Sequence, residues 1–226
     1  MLIWLVLALV AALLEAIAVQ KKIAKLEFFA KPAVMIFLLI CLYGTTGLRG
    51  HTFWFGLGIL FSLAGDIALL SPSDRMFMLG LIAFLLTHIF YLIGFKNELL
   101  TFTAWSTILI LFIYVNGVRL LRRIVSAMQA NGQGALSIPV IAYGLVISLM
   151  LYAAMTTMYD PVWKTSAAVL VSAGAFLFWI SDLILAWNKF VSSTKIGRLP
   201  SIVAYHLGQI GLIAGVINQF LSTQQK

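Results

Sequence analysis

The sequence predicts an all-α protein, a polytopic membrane helix bundle with about eight transmembrane helices. Three observations predict it. Of 226 residues, 62% are hydrophobic and 10% charged, against about 45–50% and about 25% in ordinary soluble domains. The mean hydropathy is +1.06. The apolar residues also fall in long runs, each near the ~20 residues that cross ~30 Å of hydrocarbon as a helix. This composition excludes a soluble enzyme, a disordered chain and a nucleic-acid-binding module.

The runs cover residues 1–19, 32–47, 53–70, 76–95, 100–118, 138–158, 166–187 and 201–221. Inside lipid the backbone must satisfy its own hydrogen bonds, and these runs are too long and too evenly apolar for barrel strands. The first lacks a basic leading segment and reads as a retained helix, although Ala16-Ile17-Ala18 imitates a cleavage site. The second is the shortest and is expected to open at Pro32, a residue at home in a first turn. The third carries Gly56, Gly58 and Gly65, small residues that let helices approach closely. The fourth holds His88 and Tyr91, and the fifth ends at the basic cluster Arg119, Arg122 and Arg123. The loop 124–137 is the one long connection. It divides a single membrane domain, 1–226, into possible four-helix halves, 1–123 and 138–226. The sixth run contains Tyr143, the seventh Asp182, and the eighth follows Pro200.

The formal net charge of +8 is distributed by loop. Lys21, Lys22, Lys25, Lys31, Arg75, Arg119, Arg122, Arg123, Lys189, Lys195 and Arg198 fall on one side; Arg49, Lys96, Lys164 and Lys226 fall on the other. The excess of positive charge marks the cytoplasmic face. A multi-pass protein of the cell membrane with both termini non-cytoplasmic is therefore expected.

Ionisable side chains within spans are costly and mostly face the bundle interior or a wet cavity. Here they are few. At ~1.5 Å per residue, Asp66 lies about 6 Å and Asp182 about 8 Å from the basic-loop ends of their spans. Tyr205 and Gln209 lie about 6 and 12 Å in from Ser201. Lys31 and Tyr143 fall in the same half, and His88 lies deeper, near the midplane. Glu15, at the end of the first span, reads as a snorkelling residue. Gly65-Asp66-Ile67-Ala68-Leu69 and Ser181-Asp182-Leu183-Ile184-Leu185 resemble each other. Each is followed by a span with a histidine and a polar residue three later, His88 with Tyr91 and His206 with Gln209. A duplicated half would have parallel topology.

Phe61 to Leu70 with Gly65-Asp66, and Gly80 to Phe95 with Phe84, His88 and Tyr91, resemble the YhhN-like lysoplasmalogenase family. Lys31-Pro32, Pro139 with Tyr143 and Met150, Ser181-Asp182 with Leu185-Ala186, and Tyr205 with Gln209 are similar in kind and order. The likeness runs from about residue 28 to 215. It implies an integral membrane hydrolase that cleaves the vinyl-ether bond of lysoplasmalogens. The products would be a fatty aldehyde and glycerophospho-ethanolamine or -choline, with no metal and no organic cofactor.

Vinyl-ether hydrolysis needs an acid, a base or anionic stabiliser, and a water. Two carboxyls in unlike environments supply the first two. Asp66 and Asp182 are the expected catalytic pair. Lys31, His88, Tyr91, Tyr143, Tyr205 and Gln209 are expected to position the lysophospholipid and water, with Lys31 placed to meet a phosphate. The substrate would enter from the bilayer. Two rivals stand beside this reading. One is a small-solute or lipid transporter. The other is a zinc-dependent lipid hydrolase using His88, His206 and an aspartate, although no compact HxxxH or HExxH spacing occurs.

Overall fold

The computed structural model describes residues 2–95, 104–192 and 197–221. Met1, Lys96, Lys195, Lys226 and the start of the expected fifth run lie outside the described residues. Among the described residues there is no strand. Eight long helices follow in order: α1 (Leu2–Lys21), α2 (Ala24–Thr46), α3 (His51–Leu69), α4 (Asp74–Phe95), α5 (Ala104–Ala130), α6 (Ser137–Thr156), α7 (Thr165–Phe190) and α8 (Leu199–Phe220). Seven are long and apolar enough to cross a membrane. The remaining one, α5, carries Asn116 near its middle and three arginines in its second half. The chain is a multi-pass membrane protein.

Two boundaries differ from expectation for physical reasons. The second helix begins at Ala24, so Pro32 sits inside it rather than opening it. Its ring forfeits only the bond to the carbonyl four residues back, and the helix continues. The fifth helix runs on through Arg119, Arg122 and Arg123 to Ala130. Arginine is a good helix former, and nothing interrupts the backbone before Gly132, which turns it with φ +74°. The amide of Gln133 then reaches the Met128 carbonyl at 2.8 Å.

A common core draws on every helix: Ala8, Leu38, Phe55, Phe84, Ile113, Ile147, Phe178 and Ile213 all belong to it. The most buried helix is α8, whose backbone touches that of α7. A Cβ at Gly174 would lie 2.5 Å from the Leu212 nitrogen, and one at Gly208 would lie 2.8 Å from the Phe178 nitrogen. Without a hydrophobic drive between helices in lipid, such close approach supplies the dispersion contact that holds them. In the α3–α4 pair, aromatic rings fill the space that glycines leave. A Cβ at Gly58 would meet the Tyr91 ring at 2.2 Å, and one at Gly65 would meet Phe84 at 2.7 Å. Gly65 therefore lets Phe84 pack against the α3 backbone next to Asp66.

At the end rich in cations, Arg198 meets Glu27 and Lys189 meets Asp74, both at 2.6 Å. A satellite cluster of Ile124, Met128, Val140 and Phe190 packs there. These exposed ion pairs contribute about 0–1 kcal/mol each, so the apolar cluster does more to hold that end of α5, α6 and α7 together.

Candidate functional site

Among the described residues, the ionisable side chains buried inside the bundle fall into two networks. In the first, Asp66 of α3 accepts a hydrogen bond from the Tyr205 hydroxyl of α8 at 2.9 Å and lies 3.7 Å from Lys31 Nζ of α2. Asp66 is fully buried and Lys31 is 5% exposed. Lys31 was expected at the membrane edge, either to meet a phosphate or to hold a carboxylate; it is enclosed and pairs with Asp66. Nearby, Glu15 of α1 pairs with His206 of α8. Glu15 was expected to snorkel, yet it is fully buried. The signal that could have placed it is the spacing of Ala8, Ala11, Glu15 and Ala18, one inward helical stripe. Tyr91 donates to Gln209 Oε1 at 2.7 Å, and Gln209 Nε2 donates to Ser62 Oγ at 2.7 Å. Ser62 lies 3.1 Å from the Thr87 hydroxyl, which reaches the Gly58 carbonyl. This part is closed on itself and locks α3, α4 and α8.

The second network centres on Asp182 of α7. The Tyr143 hydroxyl of α6 donates to Asp182 Oδ2. His88 Nε2 of α4 lies 3.0 Å from that hydroxyl and 3.2 Å from the same carboxylate oxygen. His88 therefore belongs with Asp182, although helix counting put it deeper. The histidine reaches back along its helix, as side chains tilt toward the N-terminus. His88 Nδ1 is buried and has no partner.

Rings join the two networks. Tyr205, which holds Asp66, packs on Phe84 at 5.6 Å and on Phe178 at 5.3 Å; Phe178 packs on His88 at 4.6 Å. The chain of contacts runs from Asp66 through Tyr205, Phe178 and His88 to Asp182.

A cavity of about 580 Å³ lies among α4, α5, α6 and α7. Its wall is almost wholly apolar, with Tyr143 and Asp182 among its few polar residues. The Asp182 side chain is 10% exposed and that of Asp66 is 0% exposed. Of the residues expected to serve a site, Asp182 and Tyr143 line this cavity and His88 touches both. Asp66, Lys31, Tyr91, Tyr205 and Gln209 stand behind the wall formed in part by Phe84. The sequence reading missed Ser148, Trp179 and the α5 face as parts of the wall, because apolar stretches of α5 and α6 carry no sign of what they enclose. The wall also reaches the outside of the bundle, since Tyr114 and Leu145, both lining residues, are 62% and 59% exposed. Among the described residues, no group of three or more His, Cys, Asp or Glu side chains could hold a metal ion. His88 and His206, which the zinc reading combined, belong to different networks.

The sequence profile of the YhhN family matches residues 26–216. The chain belongs to the YhhN family. It is similar to lysoplasmalogenase TMEM86B of Mus musculus, 32% identical over 171 residues, which cover 74% of this chain and 66% of the mouse protein. It is also similar to lysoplasmalogenase TMEM86B of Homo sapiens, 28% identical over 66% of this chain and 57% of that protein. To lysoplasmalogenase TMEM86A of Homo sapiens it is 29% identical over 68% of this chain and 60% of that protein. The matches thus span less than two thirds of these relatives' length. No solved structure matches this YhhN-family chain. The family match takes in the whole cavity wall and both networks except Glu15, which precedes it.

Proposed function

We propose that this protein is a membrane hydrolase acting on the vinyl-ether bond of lysoplasmalogens, releasing a fatty aldehyde and glycerophospho-ethanolamine or -choline. The reading rests on one observation: a carboxyl, Asp182, is held by a phenol and an imidazole at the wall of an apolar cavity that reaches the lipid-facing surface. The names of the relatives agree with it.

In this mechanism the alkenyl carbon remote from oxygen takes a proton from Asp182, leaving an oxocarbenium ion. Water adds to the carbon next to oxygen, and its proton returns to the Asp182 carboxylate. The hemiacetal collapses as its hydroxyl proton is lost and the glycerol oxygen is protonated. Aldehyde and alcohol leave, and one water has been consumed. Tyr143 donates to Asp182 Oδ2 and His88 lies beside the same oxygen, and together they hold the carboxyl in place. A positioned acid of this kind contributes about 10²–10⁴ in rate. Asp66, kept beside Lys31 and bonded to Tyr205, is the second carboxylate. It holds Tyr205, whose ring packs on Phe178 against His88, and so positions the groups around Asp182 without touching substrate. Tyr91 and Gln209 hold the helices that carry these groups. The cation-rich loops face the cytoplasm, and substrate reaches the cavity sideways from that leaflet.

The test is direct. Purified protein in lipid nanodiscs is given lysoplasmenyl-ethanolamine and its acyl counterpart, and aldehyde is measured. Aldehyde from the first and no fatty acid from the second is expected; a protein that moves lipid across vesicles without releasing aldehyde would be a transporter instead.

A further inference from the structure

The cavity extends well past Asp182. On α5 its wall includes Ile110, Ile113, Gly117, Leu121 and Ile124, one stripe of the helix. Facing residues fix the level of each. A Cβ at Gly144 would meet Leu121 at 3.6 Å, and one at Gly117 would meet only Ser148 Oγ, at 4.0 Å. Trp179 Nε1 donates to Ser148 at 3.4 Å, so Gly117, Ser148 and Trp179 form one tier. Tyr143 and Asp182 lie about one turn nearer the cation-rich end, level with Gly144 and Leu121. From Leu121 to Ile110 the wall continues for about 16 Å of helix axis, away from the cations. In that stretch the Ser148 and Trp179 polar atoms already bond each other, so a headgroup finds little there and a hydrocarbon chain finds apolar wall.

We infer that this part of the cavity, which opens to the outside of the bundle at Tyr114, holds a single hydrocarbon chain of a lysolipid, and that Gly117, opposite Ser148, sets the length of chain admitted beyond Asp182. The chain then runs inward from the reacting bond while the glycerophosphate stays toward the basic loops. The absence of a side chain at Gly117 keeps the tier open, and a larger residue there projects into free space rather than into a neighbouring helix. The assignment rests on the proposed reaction for its activity readout, but chain binding can be measured without it.

Two measurements test it. The first compares turnover of lysoplasmenyl-ethanolamines carrying decenyl and octadecenyl chains. In Gly117→Leu the long-to-short ratio should fall about tenfold or more, the discrimination that a few methylenes give in an apolar pocket. Gly117→Ala should shift it the same way but less. The second uses an acyl lysophosphatidylcholine with a diazirine in mid-chain, which needs no hydrolysis. Photolabel should enter residues 110–118 and 148–152 and should diminish in Gly117→Leu. Labelling there in a protein that releases no aldehyde would keep the chain site and remove the proposed reaction. Labelling elsewhere, or an unchanged length profile in monodisperse Gly117→Leu, would overturn the chain site.

Discussion

Tyr143 of α6 gives its hydroxyl hydrogen to Asp182 of α7, and His88 of α4 comes within 3.2 Å of the same carboxylate oxygen. Three helices thus meet at one oxygen atom on a cavity wall. The proposed acid is held from two sides. Asp182→Asn removes the acid while preserving the shape of the side chain. Aldehyde release should fall by about 10² or more, with expression and gel-filtration behaviour unchanged. Near-native release from this variant would end the mechanism.

Tyr143→Phe separates holding from acidity. The ring stays in place and only the donor to Asp182 is lost. The kcat should drop about tenfold to a hundredfold, with KM changed little. A change confined to KM would assign Tyr143 to substrate contact alone.

Asp66 stands away from the cavity, yet Asp66→Asn should also lower turnover strongly, because it removes a buried charge that Lys31 and Tyr205 are arranged to meet. Leaving Lys31 buried without its partner costs about 3–5 kcal/mol, so thermal stability in detergent should fall too. Lys31→Met placed on Asp66→Asn should restore stability but not activity. Restored activity would reduce Asp66 to a packing residue.

Much of this arrangement was legible in the sequence. The helices followed from run length and hydropathy, and the ionisable residues stood out because lipid tolerates so few. Asp66 and Asp182 were expected at one depth and resemble each other in local sequence, but their partners come from different helices. Asp66 bonds Tyr205 of α8, and Asp182 bonds Tyr143 of α6. Which way each carboxylate turns depends on helix rotation, and rotation depends on packing such as Phe84 against Gly65. Depth counting contains no such term. Glu15 illustrates the same limit: its position near a helix end suggested solvent, while its place on the alanine stripe decided burial.

The Glu15–His206 pair provides a stability prediction independent of chemistry. Both are buried, at 0% and 1% exposed. Replacing one alone with leucine strands the other and should cost several kcal/mol, about 3–5 by analogy with other buried pairs. The double replacement should recover most of it. A double-mutant cycle on detergent-solubilised protein, read by thermal unfolding, should give a coupling at least as large as either single loss. Additive losses would mean that the two side chains act separately.

Packing between α7 and α8 leads to the most severe structural prediction. A Cβ at Gly174 would lie 2.5 Å from the Leu212 nitrogen and 2.7 Å from the Gly208 carbonyl oxygen. Both are backbone atoms, and neither can rotate aside as a side chain could. Gly174→Leu must therefore push the helices apart along their closest seam. Because α7 carries Asp182 and α8 carries Tyr205, the separation disturbs both networks at once. The variant should fail to accumulate as monodisperse protein. Gly144→Ala, whose new methyl would meet Leu121 at an ordinary 3.6 Å, should accumulate normally. Comparing yield and gel-filtration profile of the two variants tests the seam, and equal recovery would show that the α7–α8 contact is looser than its geometry states.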